Sequence, residues 1–346
     1  MKKNKQNIIL TARDISAANA LINFRKILKE KYNISVYCED PAYNYLKNKF
    51  KCIKFKNKKN ELEKIFNKKI HAIISGYSSK VKKNFGVDEI FIKEGNLKKI
   101  STFIFQDYPG DFNFYLKSHP KYYLVVNELA KKITEKKTKI KSINVGYVFL
   151  KKVTKNYIIS PTNKKKILIA GQPTNNLNYI KNYFNDLTDV LKFYKNKFNF
   201  FYRPHPAENK NFKIIKKIFN ENNILIKMTQ NKILYDDLFN TDLLISINST
   251  VAIDFNYLKH FLKKKGFAIY YINNNKTKKI FKKINLYSKM NFAKEINSKK
   301  QLDKFVYNFL KNKLNFSFQK NAFNKTNLNL QNFQKKINTI INSSGI

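Results

Sequence analysis

Short apolar runs alternate with longer amphipathic stretches, and the chain goes through this alternation twice. In the first round the runs are NIILTA (7–12), ISVYC (34–38), KCIKF (51–55), HAIISG (71–76), STFIFQ (101–106), YYLVV (122–126) and SINVGY (142–147). A helical pattern through Ala17, Leu21, Phe24 and Leu28 follows the first of them, and a charged helix is expected near 59–68. Such brief apolar runs between helices are what a parallel sheet covered on both faces needs. Residues 151–165 lack a clear period and carry a proline, which marks a linker. The second round gives KILIAG (166–171), FNFFYRP (198–204), ILIKM (224–228), DLLISI (242–247) and FAIYYI (267–272), with an amphipathic segment over 299–312. The chain is expected to be α/β in class, with one unit over 1–155 and a second over 156–346. The Lys-rich tail from 276 is assigned to the second unit as surface helices.

The 346 residues are 43% hydrophobic, enough for sizeable cores and too much for a disordered polycation. The formal charge is +46, which first suggests nucleic acid. Only three of the 69 basic residues are arginine (Arg13, Arg25 and Arg203), and Lys, Asn, Ile, Phe and Tyr are all abundant. Those are the residues of A/T-rich codons, so coding bias accounts for the charge as well as a polyanion partner does. Arginine is the preferred fork for phosphates and guanine edges, so nucleic acid is disfavoured. The two cysteines, Cys38 and Cys52, form no CxxC pair, which fits a reducing compartment. No zinc-type Cys/His cluster and no membrane-length apolar stretch is visible. A cytoplasmic protein is expected, its lysines suited to contact with an anionic membrane face.

Chemistry is expected where strands end, because open α/β sheets bind ligands at their carboxyl edge. YRPHP (202–206) follows the strand FNFFY, and flanking prolines stiffen the backbone of His205. Arg203 and His205 on a stiff loop suit a phosphate. A strand also runs into Asn248, Ser249 and Thr250, where a helix begins. Ser249 and Thr250 are natural caps, and the same geometry forms an anion site. Asp254, one turn on, is placed to reach a ribose hydroxyl. Gly171 and Gln172 of GQPT end the first strand of the second unit, where glycine permits close backbone approach. The absence of GxxxxGK[ST] and GxGxxG disfavours P-loop and nicotinamide enzymes.

With these motifs the second half resembles the donor domain of GT-B glycosyltransferases. YRPHP is similar to the His-Pro motif of bacterial surface-polysaccharide transferases (polysialyl-, Kdo- and CDP-glycerol-type). Asn248-Ser249-Thr250 is similar to their Ser-Ser/Thr motif. The resemblance implies two Rossmann-like domains with parallel sheets facing a central cleft. It also implies a nucleotide-sugar donor held by the second domain through Gly171, Gln172, Arg203, His205, Ser249, Thr250 and Asp254. Asp254 stands where many such enzymes carry a glutamate.

The same resemblance places the acceptor, a glycan or lipid-linked group, on the first domain. Arg13 and Asp14 in TARD, and Asp107 and Asp111 in FQDYPGD, follow strands there. A base must take the proton of the acceptor hydroxyl, and Asp14 and Asp107 are the candidates, with His205 assisting on the donor side. Asp14 equally suits a helix cap and Asp107 a turn. No metal or other cofactor is expected. Two rivals stand beside the transferase: a non-hydrolysing sugar-nucleotide epimerase of the same fold, and a non-catalytic polyanion-binding protein on a degenerate GT-B scaffold.

Overall fold

The computed structural model describes residues 5–56, 59–76, 85–107, 118–148, 150, 163–172, 176–205, 208, 211–229, 231, 233–273, 288–315 and 330–343. The chain divides into two units, Met1–Lys151 with Thr326–Ile346, and Lys152–Lys325.

The first unit holds strands β1 (Gln6–Ala12), β2 (Tyr32–Cys38), β3 (Ile53–Lys54), β4 (Ala72–Ser75), β5 (Ser101–Phe105), β6 (Tyr122–Val125) and β7 (Ser142–Asn144). Helices α1 (Ile15–Leu28), α2 (Ala42–Leu46), α3 (Lys59–Phe66), α4 (Val87–Leu97) and α5 (Glu128–Thr138) connect them. The sheet is parallel throughout, in the order β3-β2-β1-β4-β5-β6-β7. Every residue of β4 and β5 is buried, as strands covered on both faces must be. The helix α1 turns Ala17, Ala18, Leu21 and Phe24 to the core, and its small side chains let it lie close to the sheet. Gly76, just after β4, has no room for a β-carbon beside Ala17.

The second unit repeats the plan. Strands β8 (Lys165–Ala170), β9 (Phe198–Arg203), β10 (Ile226–Met228), β11 (Leu243–Ser246), β12 (Phe267–Tyr271) and β13 (Lys294–Ile296) alternate with helices. The helices are α6 (Leu177–Leu191), α7 (Phe212–Glu221), α8 (Leu234–Phe239), α9 (Val251–Phe261) and α10 (Lys299–Leu310). The order β10-β9-β8-β11-β12-β13 is again parallel. In both sheets the chain starts in the middle, works to one side, and returns to the other side of its first strand. The order therefore reverses between β1 and β4 and between β8 and β11, and crevices form at the carboxyl ends of such pairs. Aromatic side chains fill much of the second core, with Tyr183, Tyr202, Tyr270, Tyr271 and Phe219 all buried. Helix starts are fixed locally: the side chains of Asn176 and Ser298 accept the N–H groups of Tyr179 (3.0 Å) and Gln301 (3.2 Å).

Two features differ from the sequence expectation. The strand β13 is too short and too polar (Lys-Glu-Ile) to stand out in sequence. The final helix, α11 (Leu330–Ser343), belongs with the first unit, not with the second as the tail assignment had it. The cause is its apolar stripe: Ile337 and Ile341, one turn apart, are buried, and the helix packs on α1. Tyr32 donates to Asn338 Oδ1 at 2.7 Å and secures it further. Among the described residues no helix is long and apolar enough to cross a membrane.

Candidate functional site

At the switch point of the second sheet, β8 is followed by Gly171 and Gln172. The Gly171 N–H donates to Arg203 O at 2.8 Å, holding the end of β8 against the end of β9. A β-carbon on Gly171 would lie 2.5 Å from Tyr202 Oη and 2.9 Å from the His205 nitrogen, and would collide with Glu208. Only glycine fits. Glu208 organises the loop after β9: it accepts the Tyr202 hydroxyl at 2.5 Å and the His205 N–H at 2.9 Å. Its own N–H returns to His205 O at 2.8 Å. Burial, partly offset by the nearby Glu208 carboxylate, lowers the His205 pKa below the ordinary histidine value. The imidazole is thus neutral near pH 7, a dipolar donor and acceptor rather than a cation.

Arg203 has a protein partner. Its guanidinium pairs with Asp237 at the start of α8 and donates to Asn231 O at 3.1 Å. Asp237 is 1% exposed and also accepts from Asn231 Nδ2 at 2.7 Å. Arg203 therefore braces the end of β9 against α8, where the sequence reading had given it to a phosphate.

Two buried polar atoms at this switch point lack a hydrogen-bond partner: the Gln172 Nε2 group and the Ser246 hydroxyl, at the ends of the neighbouring strands β8 and β11. Gln172 is 8% exposed and Ser246 1%. A buried amide donor without a partner is costly, so a ligand group placed beside it would find a donor ready to bond. Beyond β11, Tyr270 Oη donates to Ser249 O at 3.1 Å and fixes the turn. Ser249 Oγ accepts the Val251 N–H at 3.3 Å, and the Ala252 and Ile253 N–H groups close tight turns onto Ser249 O and Thr250 O. Thr250 makes no side-chain cap and is exposed, and Asp254 is half-buried one turn on.

The corresponding point in the first unit is acidic. Arg13 is 6% exposed, and its guanidinium lies 3.6 Å from Glu89 Oε1. Glu89 Oε2 accepts the Gly86 N–H at 2.9 Å and Glu39 Oε2 the Val87 N–H at 3.0 Å, so two carboxylates hold the start of α4. Thr11 Oγ1 donates to Asp88 Oδ1 at 2.6 Å and shares a bond with Ser75 Oγ at 2.8 Å. Burial raises the Glu39 pKa, the Val87 N–H and Arg13 pull it down, and Glu89 pushes it up. Asp14 sits at the cap position of α1 without a side-chain cap bond. Asp107 follows Gln106, whose Oε1 accepts from Thr134 Oγ1 at 2.9 Å. Asp111 lies outside the described residues. Among the described residues no trio of His, Cys, Asp or Glu is disposed to hold a metal ion.

Glu208, Asp237, Ser246, Glu39 and Glu89 were not singled out from sequence. Glu208 had a signal, a carboxylate three residues past His205 where a turn must close. Asp237, Glu39 and Glu89 act through partners far away in the chain.

The profile of the CDP-Glycerol:Poly(glycerophosphate) glycerophosphotransferase family matches residues 132–262, from α5 to the end of α9. No curated protein matches the chain in sequence. Among solved structures, UDP-N-acetylglucosamine 2-epimerase from Rickettsia bellii is similar at 11% identity over 98% of each chain, with a TM-score of 0.65. A glycosyltransferase from Rickettsia africae is similar at 13% identity over 99% of each chain, with a TM-score of 0.61. UDP-GlcNAc 2-epimerase from Neisseria meningitidis, solved with UDP-GlcNAc, is similar at 12% identity, covering 96% of this chain and 99% of its own, with a TM-score of 0.61. The chain has the GT-B fold, and it resembles GT-B-type glycosyltransferases without resolving a subfamily.

Proposed function

We propose that the protein transfers a sugar or polyol phosphate from a nucleotide-activated donor to a glycan or lipid-linked acceptor in surface-polymer synthesis. The observation that carries this reading is the buried, unpartnered Gln172 amide beside the His205 loop, at the crevice of a GT-B second unit. The glycerophosphotransferase profile spans the same crevice and supports a donor built on a nucleotide. The neutral His205, the Gln172 amide and the Thr250 hydroxyl would meet the charge that grows on the departing phosphate. Arg203 would keep the loop in register through Asp237. The Asp254 carboxylate would accept from the ribose. Asp14 and Asp107 remain candidates for the acceptor base, joined by Glu39, whose raised pKa suits proton transfer. The reading calls for no resident metal, because N–H and O–H donors take its part.

One rival has an observation in its favour. The acidic cluster of Glu39, Asp88 and Glu89 offers the several carboxylates that epimerisation of a sugar needs, and the similar structures include epimerases. Product analysis with donor alone separates the two, since only an epimerase turns over without acceptor. A thermal-shift series with CMP, CDP, UDP and GDP tests the nucleotide itself, because a ligand of the native state raises the melting temperature. A rise with one nucleotide is expected. No rise with any of them favours the polyanion-binding rival.

A further inference from the structure

All the candidate chemistry in the second unit lies at the carboxyl edge of its sheet, and the opposite edge has a separate character. The loops that enter β8, β9, β11 and β12 and the turn after α10 share that amino edge. The Asp242 N–H donates to Lys166 O at 2.9 Å and the Phe267 N–H to Asp242 O at 2.9 Å, lacing three of these entries together. Lys165 Nζ reaches Asn312 Oδ1 at 3.2 Å, joining the turn after α10 to the start of β8. Three of the four entries expose lysine: Lys164 before β8, Lys195 and Lys197 before β9, Lys263 and Lys265 before β12. Lys311 and Lys313 after α10 add two more. The one acid among these loops, Asp242, spends its carboxylate on the Lys166 N–H at 2.7 Å. Burial, with smaller contributions from Lys264 and Lys166 and against the opposing pull of Asp242, lowers the Lys259 pKa to about 8.

Large apolar side chains stand among these lysines. Phe193, between α6 and β9, is 76% exposed, and Leu225, before β10, is 68% exposed. They are the two most exposed large apolar side chains among the described residues, and Phe261 before β12 is 52% exposed. A cationic face studded with aromatics is the pattern of proteins that lie on an anionic bilayer. Lysine suits it, since the long stem lies along the headgroups while the ammonium stays wet. None of the three arginines, the preferred phosphate fork of nucleic-acid readers, lies here. A second copy of this face would be repelled by like charge.

We propose that the amino edge of the second unit docks on an anionic lipid surface through these lysines, with Phe193 and Phe261 entering the headgroup layer. Docked this way, the candidate donor site lies at the far end of the same strands, roughly 20 Å away for six residues of β8, and stays open to solvent. The proposal does not depend on the transferase reading.

Vesicle co-sedimentation of the full chain, with phosphatidylcholine alone or mixed with phosphatidylglycerol, tests it. Wild type is expected to bind only the mixed vesicles, and less as salt rises. The quadruple variant Lys195→Glu, Lys197→Glu, Lys263→Glu, Lys265→Glu is expected to lose about a hundredfold or more. A control with the same charge change on the first unit, Lys47→Glu, Lys98→Glu, Lys132→Glu, Lys136→Glu, is expected to lose far less. Phe193→Ser keeps every charge and is expected to bind about fivefold more weakly. His205→Ala is expected to bind vesicles like wild type whatever its effect on nucleotide. Equal losses in the edge and control variants, an unchanged Phe193→Ser, no vesicle binding by wild type, or edge-dependent binding to RNA in place of vesicles would each overturn the docking face.

Discussion

At the end of β1, Arg13 lies beside Glu39 and Glu89, and those two carboxylates hold the first N–H groups of α4. At the end of β8, the Gln172 amide and the neighbouring Ser246 hydroxyl are buried with no partner, beside a neutral His205. The two strands occupy the same place in two sheets that run in the same order. Topology supplies a crevice in each, and the side chains decide its use. The first engages its charges with one another and with the start of α4. The second keeps the Gln172 amide and the Ser246 hydroxyl uncommitted, which suits an anionic ligand.

That contrast can be broken by substitution, and the largest effect belongs to the first unit. Arg13→Met leaves carboxylates buried without their cation, at about 3–5 kcal/mol. Hydrogen exchange should show the loss in β1, β2 and α4 and leave β8–β12 protected; uniform loss would mean the two units do not stand alone. Arg203→Met strands Asp237 in the same way and should cost somewhat less, about 3 kcal/mol, because the arginine is 21% exposed and water partly replaces it. A thermal melt measures it. If nucleotide affinity falls while stability holds, Arg203 contacts the donor after all.

Gln172→Leu sharpens the comparison further. Removing a buried donor that has no partner should raise stability by about 1 kcal/mol. The same change should weaken nucleotide binding by about tenfold, where a merely structural Gln172 would show the stability change alone. The smallest effect is a tilt with pH. The Glu39 pKa is raised in the folded state, so its contribution is fully present below the ordinary value and fades as pH climbs through the folded one. The His205 and Lys259 pKa values are lowered, so their contributions are present above the ordinary values and fade as pH falls through the folded ones. The Lys259 change lies above pH 7, so on the His205 shift acidification from pH 7 should loosen the second unit before the first, as unit-resolved exchange would show, and His205→Gln should flatten the slope near pH 6.

Much of this architecture was legible because buried parallel strands write themselves as unbroken apolar runs. AIIS of β4 and LLIS of β11 are examples. KEI of β13 has no such run, and α11 carries an apolar stripe that names no partner, so its return to the first unit is a tertiary fact. At the second switch point, Gly171, Gln172, His205, Ser249 and Thr250 were visible because strand ends and proline or Ser/Thr signals coincide there. Their environments were not. Arg203 looked free for a phosphate until Asp237, a long way on in sequence, was seen to neutralise it. Glu39 and Glu89 are ordinary surface-type residues in a linear reading, and folding alone brings them to Arg13.

The central claim is that the second crevice, and not the first, binds a nucleotide. Titration calorimetry of CDP and UDP into wild type, Gln172→Leu and Glu39→Gln tests it directly. The account predicts one-to-one binding by wild type, a loss of about tenfold with Gln172→Leu and no change with Glu39→Gln. Binding that survives Gln172→Leu but is lost with Glu39→Gln, or no binding at all, would contradict it.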